Sequence, residues 1–314
     1  MRSVFVGAIR RGAPAVIIAA VAVPPILIDG YALSVAINVA QYGVMATAWA
    51  MFSGPTRYVS LATVAFYGVG VYTAALLGGS MPWAIVLLAA ALSGATLAIL
   101  AGMLTLRLSG VYFVIFTFSL SELLRQIVTW YEVNVHRSVG RYVFLDVAPA
   151  HIYSQLLGLL ALLLALAWLL RRSRMGLALR IIGADLVVAN HIGIDTAKVR
   201  VLLFAFSAIF MSTAGAIIAP RWTYVDPAIA FSQTISFEVL IMALFGGVQL
   251  LFGPLIGVAS LCLVFEYLSI QFPDQLIAFL GLIYLLIVYV MPSGIVPACS
   301  AVGQVLALRE KAVA

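Results

Sequence analysis

The sequence predicts an all-α, polytopic integral membrane protein. Of its 314 residues, 65% are hydrophobic and only 9% charged, with a mean hydropathy of +1.17. A water-soluble domain is nearer half apolar and a quarter charged. The apolar runs are continuous and do not alternate, which selects helices over a barrel. At about 20 apolar residues per crossing, the chain has room for roughly ten spans with short loops.

Ten apolar segments follow in order, at 12–28, 32–52, 60–78, 83–106, 110–130, 153–170, 199–219, 233–251, 254–272 and 275–291. The first follows a basic start (Arg2, Arg10, Arg11) and imitates a signal peptide. No A-x-A site precedes a soluble body and further apolar segments follow, so it is read as a retained first helix. Segment 60–78 is short and rich in small residues, as suits a half-span or a tilted helix packed inside protein. Gly94, Ala98 and Gly102, and then Gly253 and Gly257, stand at the small-x-x-x-small spacing that lets helix backbones approach closely. One transmembrane domain, 1–314, is expected, with two long loops at 131–152 and 171–198.

Charge sets the orientation. With the N-terminus in the cytoplasm, Arg2, Arg10, Arg11, Arg57, Arg107, Arg171, Arg172, Arg174, Arg180, Lys198, Arg200, Arg309 and Lys311 face inward. Only Arg137, Arg141 and Arg221 face outward, and Arg125 falls within a span. That asymmetry satisfies the positive-inside rule. Both termini are then cytoplasmic, the 131–152 loop is external and the 171–198 loop is internal. Five segments precede the external loop at 131–152 and five follow it. The two sets enter the membrane from opposite sides, which is the geometry of an inverted repeat. The net charge of +6 is scattered beside spans, so it reads as loop charge and not as a nucleic-acid surface.

The internal loop has helical composition and no proline. Leu177, Ile181 and Val188 are spaced for one apolar face, with Arg180, Asp185, Asn190 and His191 elsewhere around the helix. Gly193 stands where such a helix stops. A short amphipathic helix of this kind lies in lipid headgroups or docks a cytoplasmic partner, and the residues alone leave both open.

Ionisable residues inside spans are the sharper signal. Each costs about 2.5–3.5 kcal/mol on the insertion scale, so they face protein or a wet cavity. Glu122 and Arg125 share a helix face as an i, i+3 pair. They form a structural ion pair or line a solute path. Glu238 and Glu266 lie near the outer ends of their spans, and Glu238 joins Glu122 and Arg125 as candidate path lining.

Enzyme chemistry finds no footing. Neither lysine follows a glycine, so no phosphate-binding G-x-x-x-x-G-K-[ST] loop exists. Gly68 and Gly70 begin a G-x-G, but Thr73 stands where a third glycine belongs, and tight helix packing accounts for them. His136, His151 and His191 lack metal-ligand spacing. Cys262 and Cys299 make no C-x-x-C and read as structural. No catalytic residue, metal or cofactor is expected in the chain itself. A transporter remains, and from the residues alone an ion-coupled carrier working without partners is the alternative to a subunit driven from outside.

Four stretches carry a family resemblance: VSLATVAFYGVGVYTAALL at 59–77, LRLSGVYFVIFTFSLSELLRQIV at 106–128, RSRMGLALRIIGADLVVANHIGID at 172–195, and MALFGGVQLLFGPLIGV at 242–258. In this order and spacing the chain resembles the LivM-type permease subunit of branched-chain amino acid ABC importers, from about residue 32 to residue 292. It departs from that pattern at Arg57-Tyr58, at Ala62 and Thr63, at Gln249 and at Gly183-Ala184-Asp185. These departures bear on the solute and on local packing more than on the fold. The resemblance implies a bacterial inner-membrane subunit that forms half a translocation path beside a second, LivH-like permease. It implies two LivG/LivF-like ATPase subunits that hold ATP and Mg, and a periplasmic substrate-binding protein. It also implies that Leu177, Arg180, Ile181, Asp185, Val188, His191 and Gly193 belong to a coupling helix resting on the ATPase.

Overall fold

A computed structural model describes residues 30–105, 110–143, 145 and 147–290. Helices fall on nine of the ten expected apolar segments, while the first segment, 12–28, lies outside the described residues.

Helix α1, Gly30–Thr56, is 27 residues long, about 40 Å at 1.5 Å per residue. Pro55 and the left-handed Arg57 (φ 59°) end it. Helix α2, Thr63–Leu77, has 15 residues, and α3, Trp83–Thr105, follows after Pro82. Helix α4, Val111–Tyr131, starts after Gly110 (φ 59°) and widens into a π turn at Glu132–His136. Strand β1, Arg141–Tyr142, comes next, then α5, Pro149–Arg172, with proline in its first turn. The loop at 171–198 contains α6, Arg174–Ala184, and α7, Leu186–His191. Helix α8, Thr196–Ile218, runs on into a 3₁₀ turn at Ala219–Arg221. Strand β2, Tyr224–Val225, and the short α9, Pro227–Ala230, lead to α10, Gln233–Gly246. Helices α11, Gly253–Gln271, and α12, Leu276–Val290, complete the described chain.

Among the described residues, seven helices are long and apolar enough to cross a membrane. They are built on α1, α3, α4, α5, α8, α10 and α11, and the apolar α2 is shorter. The spans of α1 and α8 are 72% and 78% buried, and α2 packs beside them against α8, α3 and α10. These three form the centre. Phe52, Phe66, Phe113 and Phe204 meet there, one each from α1, α2, α4 and α8, with Phe52 and Phe204 centroids 4.8 Å apart. Such ring pairs add about 0.5–1.5 kcal/mol beyond the area they bury. Helix α4 is different: only 17% of its span is buried against the rest of the chain.

The expected small-residue packing is present. A Cβ on Gly70 would stand 1.8 Å from the Ser212 carbonyl oxygen, and one on Gly94 would stand 2.2 Å from Ser212 Oγ. Helix α8 is thus clamped at Ser212 between α2 and α3. Gly70 serves this packing, while Gly68 makes room for the Phe231 ring. The eighth expected segment, 233–251, needs correction. Its helix stops at Gly246, because Gly247 takes φ 100° and residues 247–252 form the turn into α11.

The strands pair antiparallel, Arg141 opposite Val225 and Tyr142 opposite Tyr224. This ties the loop after α4 to the loop after α8. Helix α8, about 35 Å long at 1.5 Å per residue, separates two groups of basic residues. Lys198 and Arg200 stand at its start, and Arg221 follows its end. Arg57, Arg171 and Arg180 cluster with one another, and Arg200 reaches Tyr58, the neighbour of Arg57.

Candidate functional site

The chain between α1 and α2 is not helical, yet Ser60, Leu61 and Ala62 are buried. Irregular backbone within a membrane protein's interior must find partners for its N–H and C=O groups. Side chains from distant helices supply them. Trp49 Nε1 donates to the Ser60 carbonyl at 2.7 Å. The Leu61 N–H donates to Thr117 Oγ1 at 3.0 Å. The Leu61 carbonyl accepts from Ser121 Oγ of α4 at 3.2 Å and from Ser236 Oγ of α10 at 3.1 Å. Ser236 Oγ in turn accepts the Val64 N–H of α2 at 3.1 Å. Two helices, α4 and α10, therefore meet on one unwound residue. Arg200, buried in α8, secures the near side by donating to Tyr58 Oη at 2.7 Å and by stacking 5.1 Å from its ring centroid. Thr47, Ser53 and Thr63 add buried hydroxyls that have no partner among the described residues. The centre of the bundle thus holds hydrogen-bonding capacity that its own backbone does not consume.

Nearer the opposite end lies a polar layer. Asn38, Gln41 and Tyr42 share a face of α1. Asn38 accepts from Arg221 at 2.6 Å, Gln41 donates to the Tyr67 hydroxyl at 3.2 Å, and Tyr42 donates to the Glu238 carboxylate. Glu238 is half-buried and held by α1. No hydrogen bond or ion pair joins it to Glu122 or Arg125 among the described residues. Glu266 lies on the neighbouring α11, partly exposed.

Glu122 and Arg125 do share a face of α4. The guanidinium bonds the carboxylate with both arms, Nε at 2.9 Å and a terminal nitrogen at 2.5 Å, and Gln126 adds a third bond at 2.9 Å. The fork-to-fork form is the strong one for arginine and a carboxylate. The pair is only partly covered, with side-chain exposure of 34% for Arg125 and 39% for Glu122. It belongs to the helix face that the rest of the chain leaves open, beside Phe118, Leu123 and Ile127.

The 171–198 segment is two helices where one was expected. Asp185 lies between them in extended conformation (φ −154°, ψ 118°), not on a helix face. Its carboxylate caps α7 by accepting from the Val187 and Val188 N–H groups at 2.7 and 3.3 Å. Aspartate favours this role over a helix interior because its short side chain reaches the free N–H groups of the first turn. Ser173 and Asp195 cap α6 and α8 in the same way. The buried face also differs from the expected one. Gly176, Leu179, Ile182 and Ala189 turn inward, while Leu177 (61% exposed) and Val188 turn out and Ile181 is intermediate. Arg180 is exposed, and His191 Nδ1 lies 2.7 Å from the Val187 carbonyl oxygen. Gly193 ends α7 as expected, with φ 84° and an Ile194 N–H bond back to the Ala189 carbonyl. The outcome is an exposed apolar surface of Leu177, Val187, Val188 and Ile192 on two capped helices between spans.

Sequence reasoning did not find Thr117, Ser121 and Ser236, which hold the unwound residue, nor Tyr42, which holds Glu238. Single hydroxyls in apolar helices resemble tolerated small residues, and their partners lie far away in sequence. The proline at Pro55 followed by Arg57-Tyr58 was the available signal that α1 ends inside the bundle.

Comparison with known proteins gives this arrangement a lineage. The sequence profile of the family described as "Branched-chain amino acid transport system / permease component" matches residues 31–291. The high-affinity branched-chain amino acid transport system permease protein LivH of Escherichia coli strain K12 is 34% identical over 137 residues, 42% of this chain and 43% of that protein. The LivH protein of Salmonella typhimurium strain LT2 is 33% identical over 138 residues, with the same coverage. The LivM protein of Salmonella typhimurium strain LT2 is 27% identical over 266 residues, 74% of this chain and 62% of that protein. The match thus spans less than half the length of the LivH proteins. No solved structure matches the chain significantly. With the profile running from α1 through α12, the chain belongs to the branched-chain amino acid transport system permease component family.

Proposed function

We propose that this chain is the membrane-embedded permease subunit of a bacterial ATP-driven importer for branched-chain amino acids or related small organic acids and amides. It sits in the inner membrane as one domain of about ten spans, arranged as an inverted five-plus-five repeat, with both termini in the cytoplasm. It forms half of the path beside a second, LivH-like permease. Two LivG/LivF-like ATPase subunits bind ATP and Mg, and a periplasmic binding protein delivers the solute. The observation that carries this reading is the apolar surface of α6 and α7. Spans run along the membrane normal and cannot enter a groove in a cytoplasmic ATPase. A lateral pair of helices tied by Ser173 and Asp195 caps to α5 and α8 can pass a closing motion to both. Leu177, Arg180, Val188 and His191 then face the ATPase, while Ile181, Asp185 and Gly193 shape the element that presents them.

The open face of α4 supports the two-subunit path. A charged pair is costly against lipid chains, so Glu122 and Arg125 belong opposite a partner or water. Together with Glu238 they are the polar lining of this half of the path. Reconstitution with the ATPase and second permease in proteoliposomes tests the function. Uptake requires ATP and stops when the ATPase is omitted, whereas nucleotide-free uptake by the isolated chain would show an ion-coupled carrier instead.

The ion pair gives a separate expectation. Glu122→Gln combined with Arg125→Gln removes both charges at once, so no buried charge is left unpaired. A purely structural pair would tolerate this. As path lining, the double variant assembles normally, and its uptake falls about tenfold, the equivalent of about 1.4 kcal/mol in the barrier. Full uptake by an assembled double variant would remove these residues from the path.

A further inference from the structure

A cavity of about 410 Å³ opens at the end of the bundle that carries Arg57, Arg171 and Arg180, all three of which line it. Its walls come from the end of α1, the end of α5, α6 and the turn at 247–252, so four separate parts of the chain build it. No carboxylate lines it, and among the described residues none pairs with any of the three arginines. Arg171 and Arg180 repel each other across it. The nearest acid, Asp185, is already committed to the α7 N–H groups.

Two acceptors in the wall are already engaged. The Gln249 carbonyl accepts one Arg171 N–H at 3.2 Å, and the Gly54 carbonyl accepts from Gln249 Nε2 at 3.2 Å. Most of the fifteen guanidinium N–H donors, five per arginine, have no hydrogen-bond partner among the described residues. Arg57 is brought to the rim by a left-handed turn that a non-glycine residue rarely adopts. That turn is fixed from both sides. The Arg57 N–H bonds the Ser53 carbonyl at 2.9 Å, and the next residue, Tyr58, is held by Arg200. The backbone therefore spends conformational energy to add a third cation to two that already repel.

We propose that this cavity is a binding site for a phosphate group, the shared chemistry of an anionic phospholipid headgroup and free inorganic phosphate. A single carboxylate occupies one arginine fork. A phosphate offers acceptor oxygens in several directions and suits convergent arginines. Basic pockets between spans at the ends of helices are also where anionic headgroups lodge. The site depends on the three guanidiniums and does not rest on the transport reading.

The test uses the purified full chain, wild type, Arg57→Gln and Arg57→Gln with Arg171→Gln. Arg172→Gln, a residue outside the cavity lining, is the control. Native mass spectrometry follows titration with phosphatidylglycerol and, separately, phosphatidylcholine, and calorimetry follows inorganic phosphate. Wild type and Arg172→Gln bind phosphatidylglycerol in preference to phosphatidylcholine, and Arg57→Gln weakens this about tenfold, as loss of one charged hydrogen-bonding group does. The double variant weakens it further. If inorganic phosphate binds with the same arginine dependence and phosphatidylglycerol does not, the site takes the free ion. If neither binds, or if binding in Arg57→Gln equals that in wild type, the proposal is overturned. Arg57 is exposed and its replacement keeps the fold, so the single variant decides the matter even where the double variant is recovered poorly.

Discussion

On the proposed ATPase docking, replacing Leu177 and Val188 together with aspartate will abolish ATP-driven uptake while the protein still reaches the membrane in normal amount. Both side chains are exposed in the isolated chain, so their loss opens no cavity and leaves α6 and α7 folded. Burying a Leu or Val side chain in an interface contributes about 1.5–3 kcal/mol each. Losing both, and placing two charges in an apolar groove, weakens association by a factor of about a hundred or more. Pull-down of the ATPase by tagged wild type and variant measures that directly, and uptake in the same strains measures its consequence. The inward-facing neighbours give the contrast. Leu179→Asp, at a buried position on the same helix, acts through folding and lowers the amount of protein instead. Undiminished ATPase capture by the Leu177 and Val188 variant would assign the apolar surface to lipid headgroups.

Gly70→Val will remove the folded protein altogether. The first added carbon would stand 1.8 Å from the Ser212 carbonyl oxygen and 2.6 Å from the carbonyl carbon. Neither atom belongs to a flexible side chain, so only movement of a whole helix relieves the overlap. Helix α8 is pinned there from the other side, where Gly94 meets Ser212 Oγ. Overpacking a core usually costs about 1–3 kcal/mol, and a collision with main chain lies at or beyond the upper end. Expected is loss of a monodisperse peak in detergent and a fall in thermal midpoint for whatever remains. Gly158 in α5 provides the comparison, because a Cβ there meets nothing within 4 Å. Gly158→Ala keeps wild-type stability or gains slightly, as an open helical glycine should. A Gly70→Val protein with a wild-type melting curve would mean that α2 and α8 are not in contact as described.

Much of the architecture was legible because its causes are local. Long apolar runs, Gly193 after a polar turn, and Glu122 three residues before Arg125 each act within one or two helical turns. The three places where the sequence reading went astray have separate causes, and only the last is long-range. Asp185 was counted into a helical period that runs on past it, although aspartate is a better cap than interior residue. The C-terminal boundary of the eighth span ran past Gly246, because the turn beyond it is itself apolar. The unwound stretch at Leu61 depends on Thr117, Ser121 and Ser236, which are 56, 60 and 175 residues away along the chain. Nothing in the local pattern distinguishes these hydroxyls from their many equivalents in apolar helices. The same holds for Tyr42 and Glu238, whose pairing is set by how α1 and α10 cross.

The two-residue strands carry a consequence for biogenesis. Tyr142 and Tyr224 can meet only after the ribosome has delivered everything between them, including α5 and α8. Chains are synthesised from the N-terminus at about 5–20 residues per second, so the first strand waits several seconds for its mate. Until then the loop after α4 has no sheet partner. Closure of this clasp is accordingly a late step, one that marks completed insertion of the second half of the bundle.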